Sequence, residues 1–121
     1  ERLVEAIQEY INPQRTWLVF GSSSDKDLPG MVEAIAPLIY KGFACESRHP
    51  RAIPVKVLKE AFLVKEVKLE EAPDVGEALS YALNQASERD LVLVTGSLFV
   101  VSEALENWFE IEPEMYPELD R

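Results

Sequence analysis

The run Val92-Leu93-Val94-Thr95-Gly96-Ser97-Leu98-Phe99-Val100-Val101 constrains the fold more than any other stretch. It reads as a buried strand that stops at Thr-Gly-Ser and turns at once into an apolar helix. In open α/β sheets the groups that meet ligands stand at the carboxyl ends of strands, so a small hydroxyl and a glycine there mark a candidate site. The same kind of junction occurs earlier, at Trp17-Leu18-Val19-Phe20-Gly21-Ser22-Ser23-Ser24-Asp25-Lys26-Asp27. Two such junctions in 121 residues, with 47% apolar content, fit one domain around a single core.

The net charge of −10 opposes binding to nucleic acid or to anionic lipid, so neither partner is expected. From Glu103 onward there are seven acids and one base, so −6 of that charge sits at the C-terminal end. The single cysteine, Cys45, excludes an intrachain disulfide and fits a reducing cytoplasm. Its neighbours Phe43 and Ala44 place it on a strand, buried and inert. No stretch approaches the roughly 18 apolar residues of a membrane span, and the start lacks a basic-then-apolar signal pattern. The chain opens at Glu1, without an initiator Met, in what already reads as a helix, which suggests a piece of something longer.

Leu3, Val4, Ile7 and Ile11 recur at helical spacing until Asn12-Pro13, so a first helix is expected to about Tyr10. Trp17–Phe20 is a strand covered on both faces. Asp25 or Asp27 can cap the next helix, whose face is Met31, Ile35, Leu38 and Ile39 and whose end is near Lys41-Gly42. A strand from Gly42 to Glu46 leads into the loop Ser47-Arg48-His49-Pro50-Arg51-Ala52, and Pro54 opens a helix through Phe62. Val64 to Leu69 is a more polar strand, and Pro73-Asp74 opens a helix through Ala86. Asp90 to Thr95 is the last strand, and Ser97 to Phe109 the last helix, with Leu98, Val101, Leu105 and Trp108 on one face. This alternation implies a three-layer α/β/α, Rossmann-like domain over residues 1–109 with a mostly parallel sheet. Residues 110–121 form an acidic tail without periodicity.

The Gly21–Asp27 loop offers amides, hydroxyls and Lys26 at a helix start, which could hold an anion or be a capped turn with a solvated lysine. The glycine spacing and terminal Lys-Ser/Thr pair of an NTP phosphate loop are absent. Ser97 could present its hydroxyl to a ligand, cap the last helix, or do both. A nucleophilic role is not expected, because the glycines of a Gly-x-Ser-x-Gly elbow are missing and the chain has one histidine. Arg48, His49 and Arg51 cluster after a strand, where they could meet a carboxylate or phosphate, although a histidine beside two arginines is more often a surface residue. No metal-ligand spacing is present, and the acids are expected on solvated faces.

Together, VFGSSSDKDLPGM, SRHPRA and LVLVTGSLFVVSEA resemble the C-terminal domain of the Mur ligase family, in its folylpolyglutamate synthase and dihydrofolate synthase branch. The resemblance runs from Leu3 to about Glu103. It implies one half of an ATP-dependent ligase that activates a folate or pteroate carboxylate as an acyl phosphate with MgATP, then lets the amine of L-glutamate attack. By this resemblance, Ser97 is the position expected to help receive glutamate. Asp25 and Lys26 match the family's strand-end loop facing the cleft, and Arg51, beside His49, matches its Pro-Arg-Ala element. The N-terminal ATPase domain of the same parent chain is the implied partner, and it carries the phosphate loop, the magnesium ligands and a carboxylated lysine. ATP and Mg are therefore expected there and not here.

Family members begin this domain with a strand ending in Asp-Gly-Ala-His-Asn-Pro, which this chain lacks. The expectation is that this strand lies between the Trp17 and Leu91 strands, leaving those two to pair directly or the slot to be filled by another segment. The chain by itself is expected to be inactive. Two other readings are a stand-alone, non-catalytic α/β binding module with the tail facing a partner, and the domain of a cell-wall Mur ligase. The Arg48–Ala52 element and the Val-Thr-Gly-Ser junction favour the folate branch over the latter.

Overall fold

Five consecutive buried residues, Thr16–Phe20, form β1 at the centre of the computed structural model, which describes residues 5, 7, 8 and 12–109. A strand buried on both sides must offer apolar groups at every position, and β1 does so. Trp17 and Val19 face one layer, Leu18 and Phe20 the other. The chain continues through α1 (Leu28–Ile35), a 3-10 turn (Ala36–Leu38), β2 (Ile39–Ala44) and α2 (Val55–Leu63). It then forms β3 (Leu69–Glu71), α3 (Val75–Gln85), β4 (Leu91–Thr95) and α4 (Leu98–Phe109).

All strand pairs are parallel and the sheet order is β3-β2-β1-β4. Phe20 pairs with both Ala44 and Thr95, so three strands end at one level. One face packs Trp17, Val19, Phe43 and Cys45 against Val75, Ala78 and Ala82 of α3 and Val100 and Ala104 of α4. The other packs Leu18, Phe20 and Ala44 against Val32 and Ile35 of α1 and Leu58 and Phe62 of α2. Phe20 and Phe62 meet edge to face, 5.0 Å between centroids. The three-layer α/β/α arrangement is the expected one.

Several boundaries differ from the sequence reading. The helix expected to reach Lys41 ends at Ile35, because Pro37 has no amide to continue it, and Ile39 is already extended in β2. The strand expected over Val64–Leu69 is only Leu69–Glu71. Residues before it wind off the end of α2, with Lys65 N bonded to Phe62 O, Glu66 N to Leu63 O, and Glu66 at φ 63°. On α4 the buried apolar residues are Val100 and Ala104, while Leu105 and Trp108 are 49% and 59% exposed. The apolar spacing of this helix marks two faces, and the sheet takes the one with smaller residues. Two acids expected in solvent, Glu103 and Glu106, are buried.

Of the two arrangements expected for β1 and β4, the structure shows direct pairing. The two strands pair directly at all five positions, from Thr16–Leu91 to Phe20–Thr95. The first helix to about Tyr10, apart from residues 5, 7 and 8, and the acidic tail 110–121 lie outside the described residues. No described helix is long and apolar enough to cross a membrane.

Candidate functional site

Where β1 and β4 end, their backbones meet. Gly21 N donates to Thr95 O at 3.4 Å, and Gly96, at φ 120°, passes directly against the Gly21 carbonyl. That conformation suits glycine, and the close approach admits no Cβ. It delivers Ser97 to the start of α4 as its cap: Ser97 Oγ accepts from Val100 N at 3.2 Å, three residues on. Ser97 is buried, and its hydroxyl proton remains to donate. Capping and ligand binding by Ser97 are therefore compatible.

The second junction is laced to the loop after β2. Ser24 N donates to Arg51 O, Ile53 N donates to Ser22 O, and Ser23 bridges Ala52 in antiparallel fashion. Of the two possible caps for α1, Asp27 is the one used, its Oδ1 accepting from Gly30 N at 3.2 Å. Asp25 turns instead to Ser23, whose hydroxyl donates to Oδ1 at 2.6 Å. That bond holds the Asp25 carboxyl below its ordinary range, with its own amide adding to the effect and the Lys26 and Arg51 charges contributing less. Asp25, Lys26 and Arg51 are exposed and close enough to interact, so the two loops bring a carboxylate and two cations together on one rim.

His49 corrects the expectation of a surface histidine. It is 4% exposed, stacked on Phe99 of α4 at 3.9 Å between centroids, and its Nδ1 accepts from Arg51 N at 3.1 Å. An accepting Nδ1 places the proton of the neutral ring on Nε2. His49 thereby links the Ser97 helix to the Arg51 loop from within. Arg48 does meet carboxylates, as its type suggested, but they are the protein's own. Its Nη2 contacts Glu106 Oε1 and Oε2 at 2.9 and 3.2 Å, and its backbone N donates to Glu103 Oε2 at 2.8 Å.

Sequence reasoning missed three features. Ser22 Oγ is buried at the end of β1 with no hydrogen-bond partner among the described residues, signalled only by the run of hydroxyls after Gly21. Phe99 as the platform for His49, and Glu103 with Glu106 as partners for Arg48, have no signal in local spacing. Cys45 is buried as expected. Burial, followed by the charges of Glu103, Asp74 and Glu46, pushes its thiol up to about 12. Among the described residues no group of three or more His, Cys, Asp or Glu side chains could hold a metal ion. A cleft of about 620 Å³ lined by Asn12–Gln14 and Glu88–Leu91 lies away from these groups.

A parallel sheet with helices on both faces, its strand ends tightened by glycine, defines a Rossmann-like α/β domain. More particularly, the chain belongs to the Mur ligase family: that family's glutamate ligase domain matches residues 1–98. A probable bifunctional folylpolyglutamate synthase/dihydropteroate synthase of Halobacterium salinarum is 36% identical over 109 residues, covering 88% of this chain and 13% of that protein. The fold superposes on Escherichia coli FolC in complex with DHPP and ADP, with a TM-score of 0.83, 23% identity and coverage of 91% of this chain and 26% of that one. A bifunctional folylpolyglutamate synthase/dihydrofolate synthase with Mn, AMPPNP and L-glutamate bound gives a TM-score of 0.75 at 21% identity, over 91% and 26% of the two chains. The chain thus spans 13% of the curated relative and about a quarter of the solved structures, 26% of each.

Proposed function

We propose that this domain supplies the glutamate-receiving half of an ATP-dependent carboxylate–amine ligase that adds L-glutamate to a folate, and to dihydropteroate where the parent is bifunctional. The observation that carries this reading is the Thr95-Gly96-Ser97 junction, seated against Gly21 beside a rim holding Asp25, Lys26 and Arg51. Glutamate brings two carboxylates and an ammonium group, and the rim offers two cations and an ionised carboxylate. Ser97 donates its hydroxyl to a glutamate carboxylate while Val100 N keeps the oxygen in place. Lys26 and Arg51 draw in the carboxylates, Asp25 faces the ammonium group, and His49 holds Arg51 at its backbone.

The parent's chemistry, by resemblance, joins the glutamate nitrogen to the activated carboxyl carbon as the carbon–oxygen bond to phosphate breaks, releasing inorganic phosphate. MgATP supplies the activation. The described residues here do not fit a magnesium site, so nucleotide and metal are assigned to the N-terminal ATPase domain of the parent. ADP, AMPPNP, Mn and L-glutamate are ligands of longer, similar proteins of the folate branch, which supports that branch over the cell-wall one. We place the reaction in the cytoplasm, consistent with one buried reduced cysteine.

The test is a ligation assay on the intact parent with MgATP, a folate and radiolabelled L-glutamate. Glutamylated product is expected, and its absence overturns the reading. This domain alone should show no ATP binding in isothermal titration, and tight binding would contradict its assignment as the glutamate half.

A further inference from the structure

We propose that Arg48 is a positioning residue for the glutamate site, an inference that rests on the glutamate-ligase reading above. Arg48 opens the loop that carries His49 and Arg51, yet its guanidinium turns to α4. Its contacts there are Glu106 at 2.9 Å and Glu103 at 3.6 Å. These two carboxylates lie one turn apart on α4 and are 5% and 7% exposed. A planar guanidinium that reaches Glu106 through Nη2 and Glu103 through Nη1 fixes direction as well as distance.

The geometry makes the loop a bracket between the two halves of the site. On one side it is pinned to α4 twice, at Phe99 through the His49 stack and at Glu103 and Glu106 through Arg48. On the other it is bonded to Ser22 and Ser24 of the junction after β1. Because Ser97 begins α4, the distance from Ser97 to Arg51 is set by where the loop grips that helix. Losing the Arg48 side chain frees one pin. The His49 stack and the bond from the Arg48 backbone amide to Glu103 remain, so the loop can shift without the fold being lost.

The experiment measures glutamate, folate and ATP kinetics on the intact parent carrying Arg48→Met, Arg48→Lys or Glu106→Gln. Arg48→Met should raise the glutamate KM about tenfold while kcat and the other KM values stay within about twofold, the sign of lost ground-state positioning. Arg48→Lys keeps the charge but loses the planar pair of nitrogens that reaches both glutamates, so it should fall between wild type and Arg48→Met. Glu106→Gln gives the same readout if Arg48→Met does not fold. An unchanged glutamate KM in these variants, with wild type active, overturns the role of Arg48 alone. So does a uniform fall in all constants together with thermal stability. A wild-type parent that attaches no glutamate overturns the ligase reading, and the role of Arg48 with it.

Discussion

Gly96 and Gly21 stand backbone to backbone where two strands end, with Gly96 at φ 120° and its Cα turned onto the Gly21 carbonyl. Neither position has room for a side chain. A Cβ at Gly21 would lie 2.6 Å from both Cys45 O and Val100 Cγ2, and one at Gly96 would overlap Gly21 O. This contact sets how far apart the ends of β1 and β4 sit.

Replacing Gly96 by alanine combines a left-handed backbone with a collision against main chain, which cannot rotate away. The expected loss is about 3 kcal/mol, at the upper end for a single strained residue. Urea unfolding of this domain should show a lower midpoint with an unchanged slope. Wild-type stability in Gly96→Ala would mean that the two loops are not in contact.

Ser97 has two roles that two substitutions separate. Alanine removes both the cap and the donor and should cost about 1 kcal/mol, whereas glycine removes the donor while costing only a few tenths at an N-cap. Both variants of the parent should raise the glutamate KM, but only alanine should visibly lower the melting temperature. An unchanged KM in both would leave Ser97 as a cap alone.

The Trp17–Phe20 strand was legible because a strand covered on both faces must be apolar throughout, and Leu91–Thr95, a half-buried edge strand, because its apolar run also stops at a glycine. The α1–β2 boundary was not, because Ile35, Leu38 and Ile39 continue a helical spacing that only Pro37 interrupts. On α4 two apolar stripes compete, and the one that packs with Trp17, Val19 and Phe43 carries Val100 and Ala104 while Trp108 stays exposed. Candidate site residues on strand-end loops were readable from residue type and position. Burial of His49 and capture of Arg48 depend on α4, some fifty residues later, which short-range spacing cannot register.

Cys45 should be silent to thiol reagents in the native state. Its Sγ lies 3.7 Å from Phe20 O, and with the thiol pushed up to about 12 only roughly one molecule in ten thousand is thiolate at pH 8. Titration with Ellman's reagent should find no reactive thiol in the folded domain and one per chain in denaturant. Rapid reaction without denaturant would contradict the packing of β2 against α4.

Asp90 stands at the opposite end of the sheet and ties β1 to β4 by its side chain. Its Oδ2 accepts from Trp17 Nε1 at 3.0 Å and from Ser87 N at 2.9 Å, and Arg15 lies 3.8 Å from Oδ1. These contacts, led by the Ser87 amide, hold its carboxyl below the ordinary value. A carboxyl depressed in the folded state binds its proton more readily when unfolded. The stability it adds is therefore fully present above the unfolded value of about 3.9 and disappears as pH falls through the lower folded one. Asp90→Asn should accordingly melt several degrees below wild type near neutral pH, with the gap constant down to about pH 5 and closing in stronger acid. Thermal unfolding followed by circular dichroism between pH 3 and 8 reads this directly, and a gap that widens on acidification would contradict it. Because Asp90 is remote from the strand ends that carry Ser97, the same substitution in the parent should leave the glutamate KM unchanged.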